Sequence, residues 1–148
     1  FVGLFLTRAA IEKTGLPEKR LFLYGDDWDY TLRMRKKGVP LLHDPGVVYL
    51  HDHQSRTGER EPFKELWKWF YSCRNNLIFM RTCFGPFARP IQKYWVAQWR
   101  KECLKYPDPK IARIILDRAA RVVDHRDEWL PHPELLDWVK SLESPGGS

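Results

Sequence analysis

Apolar positions along this chain change rhythm about two-fifths of the way through. The first third holds short apolar runs bounded by Gly, Pro and Asp. Residues 1–6, 21–24, 39–43 and 47–51 each read as a brief extended segment or strand. Between them lie two helical patterns. Thr7 can cap a helix over 8–14, which Gly15-Leu16-Pro17 stops. Asp26 or Asp27 can cap a second helix, running to about Lys37 and ending at Gly38. In it Tyr30 and Met34, or Trp28, Leu32 and Arg35, recur at helical spacing. Gly25 permits a tight turn or a close backbone approach. Asp44-Pro45-Gly46 reads as a turn, and 52–62 as a polar, mobile loop. From Phe63 the spacing becomes helical, predicting helices over 63–81, 90–104 and 111–123. Phe84-Gly85-Pro86, Pro107 and Pro109 are the breaks. Residues 144–148 read as a disordered tail.

The predicted fold class is therefore α/β for the first part, followed by a mostly α-helical segment. Two or three strands do not make an independent sheet. The chain opens mid-pattern on an apolar run, without Met or a leader, which suggests the C-terminal piece of a larger protein. The division expected is 1–62, 63–143 as a helical extension, and 144–148 as the tail.

A length of 148 residues suffices for one ordinary domain. The formal charge of +6 suits an anionic partner: a nucleotide diphosphate, an acidic membrane surface or nucleic acid. A solvated basic surface accounts for it equally. No apolar run approaches the roughly 20 residues of a membrane span. Cys73, Cys83 and Cys103 form no close pair, which argues against a disulfide framework or a zinc site and for a reducing compartment. The expected location is cytoplasmic, with a peripheral place at the inner face of the membrane as a variant of it.

Candidate chemistry concentrates in Gly25-Asp26-Asp27-Trp28-Asp29-Tyr30. Three carboxylates directly after an apolar run invite an explanation beyond packing, because a buried carboxylate is costly unless paired. Asp27 is the leading candidate for a general base, and adjacent carboxylates tune one another. Its structural alternative is a helix cap that complements the helix dipole. Asp29 is placed to pair with Arg33 at i+4. His51, with Asp52 and His53 beside it, fits either a surface imidazole or a ligand to a hard divalent ion such as Mg²⁺ or Mn²⁺. Arg74-Asn75-Asn76 interrupts an apolar helix with poor helix formers. Those residues fit binding of a polyol or phosphate, or an ordinary surface. Trp67, Trp69, Phe70, Tyr94, Trp95 and Trp99, set among Lys64, Lys68, Lys93, Arg100 and Lys101, suit a helical core with snorkelling lysines or a membrane-surface helix.

The run Gly15-Leu16-Pro17 … Phe22-Leu23-Tyr24-Gly25-Asp26-Asp27-Trp28-Asp29-Tyr30 … Arg33 … Gly38 … Pro45 … His51 resembles the C-terminal half of the catalytic domain of family 2 glycosyltransferases. The rhamnosyltransferase-like and galactofuranosyltransferase-like members are the nearest in pattern, and the likeness covers residues 1–81. It implies the later part of a GT-A fold, a nucleotide-diphospho-sugar transferase domain. It implies Asp27 as catalytic base, Asp26 as the acid that shapes the acceptor site, and His51 in the metal shell, 24 residues after Asp27. Gly3 corresponds to a glycine on the acceptor side; Trp28, Arg74 and Asn75 are the further acceptor-binding candidates. The cofactor implied is Mn²⁺ or Mg²⁺. The partners implied are a nucleotide-sugar donor, bound mostly upstream of this chain, and a glycan or lipid-linked acceptor. The family's Asp-x-Asp metal motif and its nucleotide-binding strands are absent from the chain, so the fragment alone is expected to be inactive. The competing reading is a non-catalytic basic, aromatic module on an acidic membrane or nucleic acid. Three acids beside a phosphate-contacting surface would repel it, so nucleic acid is not expected.

Overall fold

A computed structural model describes residues 3–48, 50 and 62–144. The described residues form six α-helices joined by loops and short 3₁₀ turns, with no strand among them. The helices are α1 (Arg8–Thr14), α2 (Asp26–Lys36), α3 (Leu66–Phe84), α4 (Ala88–Glu102), α5 (Pro109–Arg121) and α6 (His132–Glu143).

The α/β expectation is thereby corrected to all-α. Residues 3–7 and 39–44 belong to no helix or strand. A strand exists only through its ladder, and these apolar runs find no backbone partner in one another. Most of their side chains are exposed, Leu42 and Phe5 among them. Residues 21–24 form a compact loop instead of a strand. The Leu23 amide donates to the Leu21 carbonyl at 2.7 Å, and Phe22 and Tyr24 both take left-handed φ angles, 58° and 60°. The GT-A sheet expected of this part is thus not formed by these residues. Residues 51–61, including His51 and most of the predicted 52–62 loop, lie outside the described residues, as do 145–148 of the predicted tail.

The helices themselves follow the sequence closely. Thr7 caps α1 by accepting from the Ala10 amide at 3.2 Å, and Gly15 ends it at φ 82°. Tyr30 and Met34 are the buried pair of α2. With Val39 they form a small core, against which Leu4, Leu6 and Ala10 pack. Gly46 donates its amide to Asp44 Oδ1 at 2.9 Å, the predicted turn. α3 and α4 are separated by the Gly85–Phe87 turn. Asp108 caps α5 with two bonds from backbone amides, and Pro109 occupies its first turn. α6 was not singled out by its spacing, although Leu135 and Val139 stand at i and i+4 and both are buried.

The larger core lies among α3, α5 and α6. Phe70, Cys73, Ile115, Leu116, Ala119, Leu135 and Val139 fill it. Trp69 is buried there too, while Trp67 and Trp99 pack at its margin. These aromatic residues are core, as one of the two sequence readings had it. Cys73 and Cys103 are buried free thiols, and burial pushes both thiol pKa values up; Cys83 is exposed.

Gly25 joins the two parts of the molecule. It stands at the N-cap of α2 with φ 96°, so Asp26 and Asp27 are the first helical residues and not the cap. A Cβ there would come to 3.4 Å from Asn75 Cβ. Gly25→Ala is expected to destabilise the chain by about 1–2 kcal/mol, the cost of a left-handed alanine. Denaturant unfolding monitored by circular dichroism measures it, and an unchanged midpoint contradicts the placement.

Candidate functional site: an acidic helix start on a clamped loop

Chemistry at this site begins with a buried pair on α3. Arg74 and Asn75 are each 1% exposed. Neither finds a carboxylate; both turn their donors onto backbone carbonyls of the loop before α2. Arg74 Nη2 donates to Arg20 O at 2.7 Å and reaches Leu21 O at 3.5 Å. Asn75 Nδ2 lies 2.8, 2.7 and 2.8 Å from the carbonyl oxygens of Leu21, Leu23 and Tyr24. Arg74 Nε donates to Asn75 Oδ1 at 2.8 Å, locking the amide with its NH₂ toward the loop.

The guanidinium sits in an aromatic cage. Its carbon lies 4.4 Å from the Trp129 ring centroid, 4.9 Å from Tyr71 and 5.6 Å from Phe70. Burial lowers the Arg74 pKa to about 10, opposed by the charges of Tyr71 and Glu18. The loop's side chains close the arrangement from outside. Phe22 stacks on His132 at 4.3 Å and tilts against Tyr71 at 5.3 Å. His132 Nδ1 is 3.4 Å from the Tyr71 hydroxyl. Glu18 receives both Nε and Nη2 of Arg20 at 3.0 Å, a bidentate pair at the loop's start.

At the loop's end stand the acids. Asp26 and Asp27 are half-buried in the first turn of α2. Asp27 Oδ1 accepts from the Trp28 amide at 2.9 Å, and Asp26 has no hydrogen-bond or ion-pair partner among the described residues. Asp29 pairs with Arg33, Nε to Oδ2, at 2.8 Å, as the i+4 spacing predicts. Trp28 is 48% exposed and rests against Phe79 at 5.4 Å. The acids complement the helix dipole, and the Asp26 carboxylate is available to accept a hydrogen bond.

The predicted site residues therefore divide. Asp26, Asp27 and Trp28 come together at the start of α2. Arg74 and Asn75 reach that place through the loop backbone, with their donors already engaged. Gly3 lies elsewhere, lining an apolar groove of about 810 Å³ with Leu4, Leu6, Met34, Val39 and Leu42. Asp26 and Asp27 do not line that groove. His51 lies outside the described residues. No group of three or more His, Cys, Asp and Glu side chains among the described residues could hold a metal ion. His51, the metal ligand that the resemblance implies, is not among those residues, and no chemical step is routed through a metal.

Sequence reasoning missed Trp129 and His132, which cage Arg74 and back Phe22. The signal for Arg74 and Asn75 was present, a polar interruption of an apolar helix, but the partner it met is the chain's own backbone. No family model, no curated protein and no solved structure matches this chain.

Two outcomes follow from the clamp. Asn75→Ala removes the side-chain donor from the carbonyls of Leu23 and Tyr24 and one of several from that of Leu21, and is expected to cost about 1–3 kcal/mol. An Asn75→Ala chain as stable as wild type by calorimetry contradicts the bonding described. The Arg20 guanidinium holds Glu18 down from an ordinary 4.5 to about 2. A carboxylate with a depressed folded pKa stabilises fully above its unfolded value and loses that contribution as pH falls from 4.5 toward 2. Glu18→Gln is therefore expected to flatten the stability profile across that acid window, read from urea midpoints against pH.

Proposed function

We propose that this chain carries the acceptor side of an inverting glycosyltransferase that uses a nucleotide-activated sugar. Asp27 is the base. Its carboxylate takes the proton from an acceptor hydroxyl as that oxygen bonds to the anomeric carbon. The bond from that carbon to the diphosphate oxygen breaks, and the nucleoside diphosphate leaves with the electron pair. Asp26 orients the acceptor by accepting from a neighbouring hydroxyl. Trp28 offers an exposed ring beside both acids, suited to the apolar face of a sugar.

One observation carries the reading: adjacent, half-buried carboxylates at a helix start, one of them unpartnered, on a loop fixed by Arg74 and Asn75. The family-like pattern around Asp26 and Asp27 adds the reaction class. The proposal involves no sheet among the described residues. Donor binding is proposed to belong to residues beyond this chain, which leaves the acceptor as this chain's share. The acceptor class is a glycan or a lipid-linked saccharide.

The test is sugar transfer from a panel of nucleotide-activated hexoses by the full-length gene product. Asp27→Asn is expected to lower kcat by about 10²–10⁴-fold with donor affinity kept. Undiminished turnover in that variant, or no transfer with any donor by the wild type, overturns the proposal.

A further inference from the structure

The apolar groove of about 810 Å³ is walled by residues 3–7 on one side and 39–44 on the other. Neither wall belongs to a helix or a strand. Among the described residues, Leu4, Phe5 and Leu6 make no hydrogen bond, and neither do Leu41, Leu42 and His43. Side chains on the first wall alternate. Leu4 and Leu6 pack on the small core of Tyr30, Met34 and Val39, while Phe5 between them is 81% exposed. That is the period of a strand lying on α2, and Thr7 continues it with φ −77° and ψ 154°.

Backbone chemistry restricts what can cover this wall. Hydrocarbon laid over residues 4–6 buries their N–H and C=O groups without partners, which is unfavourable at each group. A helix uses its own backbone groups internally and offers them nothing. An extended segment supplies both a donor and an acceptor.

The sequence restricts which segment it is. Leu4-Phe5-Leu6 reads the same in both directions. Set antiparallel to a second copy about Phe5, it places Leu4 opposite Leu6 on the core face and Phe5 opposite Phe5 on the other. Residues 1–7 contain no charge and no Pro, the features that protect a free edge. The first charge, Arg8, pairs with Glu12 at 3.3 Å. The second wall carries Pro40, His43 and Asp44 and is a blunted edge. The groove's own charges are engaged within the chain. Lys13 Nζ donates to the Gly38 carbonyl at 3.5 Å, and Asp44 Oδ1 accepts from the Gly46 amide at 2.9 Å.

We infer that the groove holds residues 4–6 of a second copy of this chain, in a twofold dimer with Phe5 on its axis. The exchange is reciprocal, so the assembly closes at two. Two strands alone are marginal, but this ladder lies on α2 of both copies, where Leu4 and Leu6 already meet the core. The inference is independent of sugar transfer.

The test is the mass of the 148-residue chain by sedimentation equilibrium across a concentration series. A species of twice 17.7 kDa is expected, and the amide I band of paired strands is expected to grow with its fraction. Phe5→Asp removes two buried rings and opposes two like charges, and is expected to raise the dimer Kd at least about a hundredfold. Leu104→Asp, at an equally exposed leucine elsewhere, leaves it unchanged. Circular dichroism confirms that each variant is folded. With Cys83→Ser removing the exposed thiol, Phe5→Cys is expected to form a covalent dimer on mild oxidation, and Leu104→Cys is not. A monomer through the high-micromolar range overturns the inference. So does a dimer that Phe5→Asp leaves intact, one whose Phe5→Cys form does not cross-link, or an open-ended aggregate.

Discussion

Five backbone carbonyl contacts made by two side chains hold the loop before α2 in place. Arg74 and Asn75 gather the carbonyls of Arg20, Leu21, Leu23 and Tyr24 onto one spot of α3. The loop they hold is one its own residues would not choose. Phe22 and Tyr24 sit at left-handed φ, where a bulky side chain costs roughly 1–3 kcal/mol. Bonds from a guanidinium and an amide, made away from water, offset that strain. The loop's shape is thus set by α3, and it fixes where α2 begins.

Burying Arg74 without a carboxylate is the price of this device. Desolvation draws its pKa down to about 10, still far above neutrality, so the cation persists. Carbonyl dipoles take its donors on one side while Trp129, Tyr71 and Phe70 offer ring faces. Each substitutes in part for lost hydration. A lysine would not substitute for it, because it lacks the planar fork that serves Asn75 and Arg20 at once. The chain's far end enters the same account. Trp129 lies between α5 and α6, and its indole N–H donates to the Val122 carbonyl at 2.6 Å, which fixes the ring beneath the guanidinium. Sequence positions more than fifty residues apart on either side therefore converge on one cation.

Five of the six helices among the described residues, α1 to α5, were legible in the sequence because their signals are local. Thr7, Gly15, Pro109 and Gly85 mark ends through caps and forbidden conformations, and Tyr30 with Met34 marks a buried face. Strands were misread because apolar alternation states only that a segment could pair. Whether 39–43 pairs depends on a partner, and none is present among the described residues. Residues 21–24 look extended by composition, yet their conformation is dictated by Asn75, fifty positions away. The acidic site was legible as residue types and as one ion pair, Asp29 with Arg33. The work of Arg74 and Asn75 was visible only as an anomaly, since a buried donor's partner is a tertiary fact. Trp129 and His132 carried no local signal at all.

The change of rhythm near residue 62 is a change of pattern and not of mechanics. α3 supplies the clamp from the same turns that supply the larger core: Phe70, Cys73 and Leu77 face inward, while Arg74 and Asn75 reach the loop. The small core of Tyr30, Met34 and Val39 has too few apolar residues to order α1 and α2 alone. It is tied to the main core through residues 20–25 and through direct contacts of α2 with α3, Trp28 against Phe79 and Lys36 Nζ donating to the Thr82 carbonyl at 3.2 Å. Any chemistry at Asp26 and Asp27 inherits this dependence. A base must stay within a fraction of an ångström of its proton, and a seven-residue and an eleven-residue helix do not provide that stiffness. Placing the carboxylates one residue beyond a clamped glycine does, because the first turn of α2 then starts from a backbone anchored to the main core. The position of Asp26 and Asp27 therefore depends on helices far along the chain, through the Arg74 and Asn75 bonds to residues 20–24.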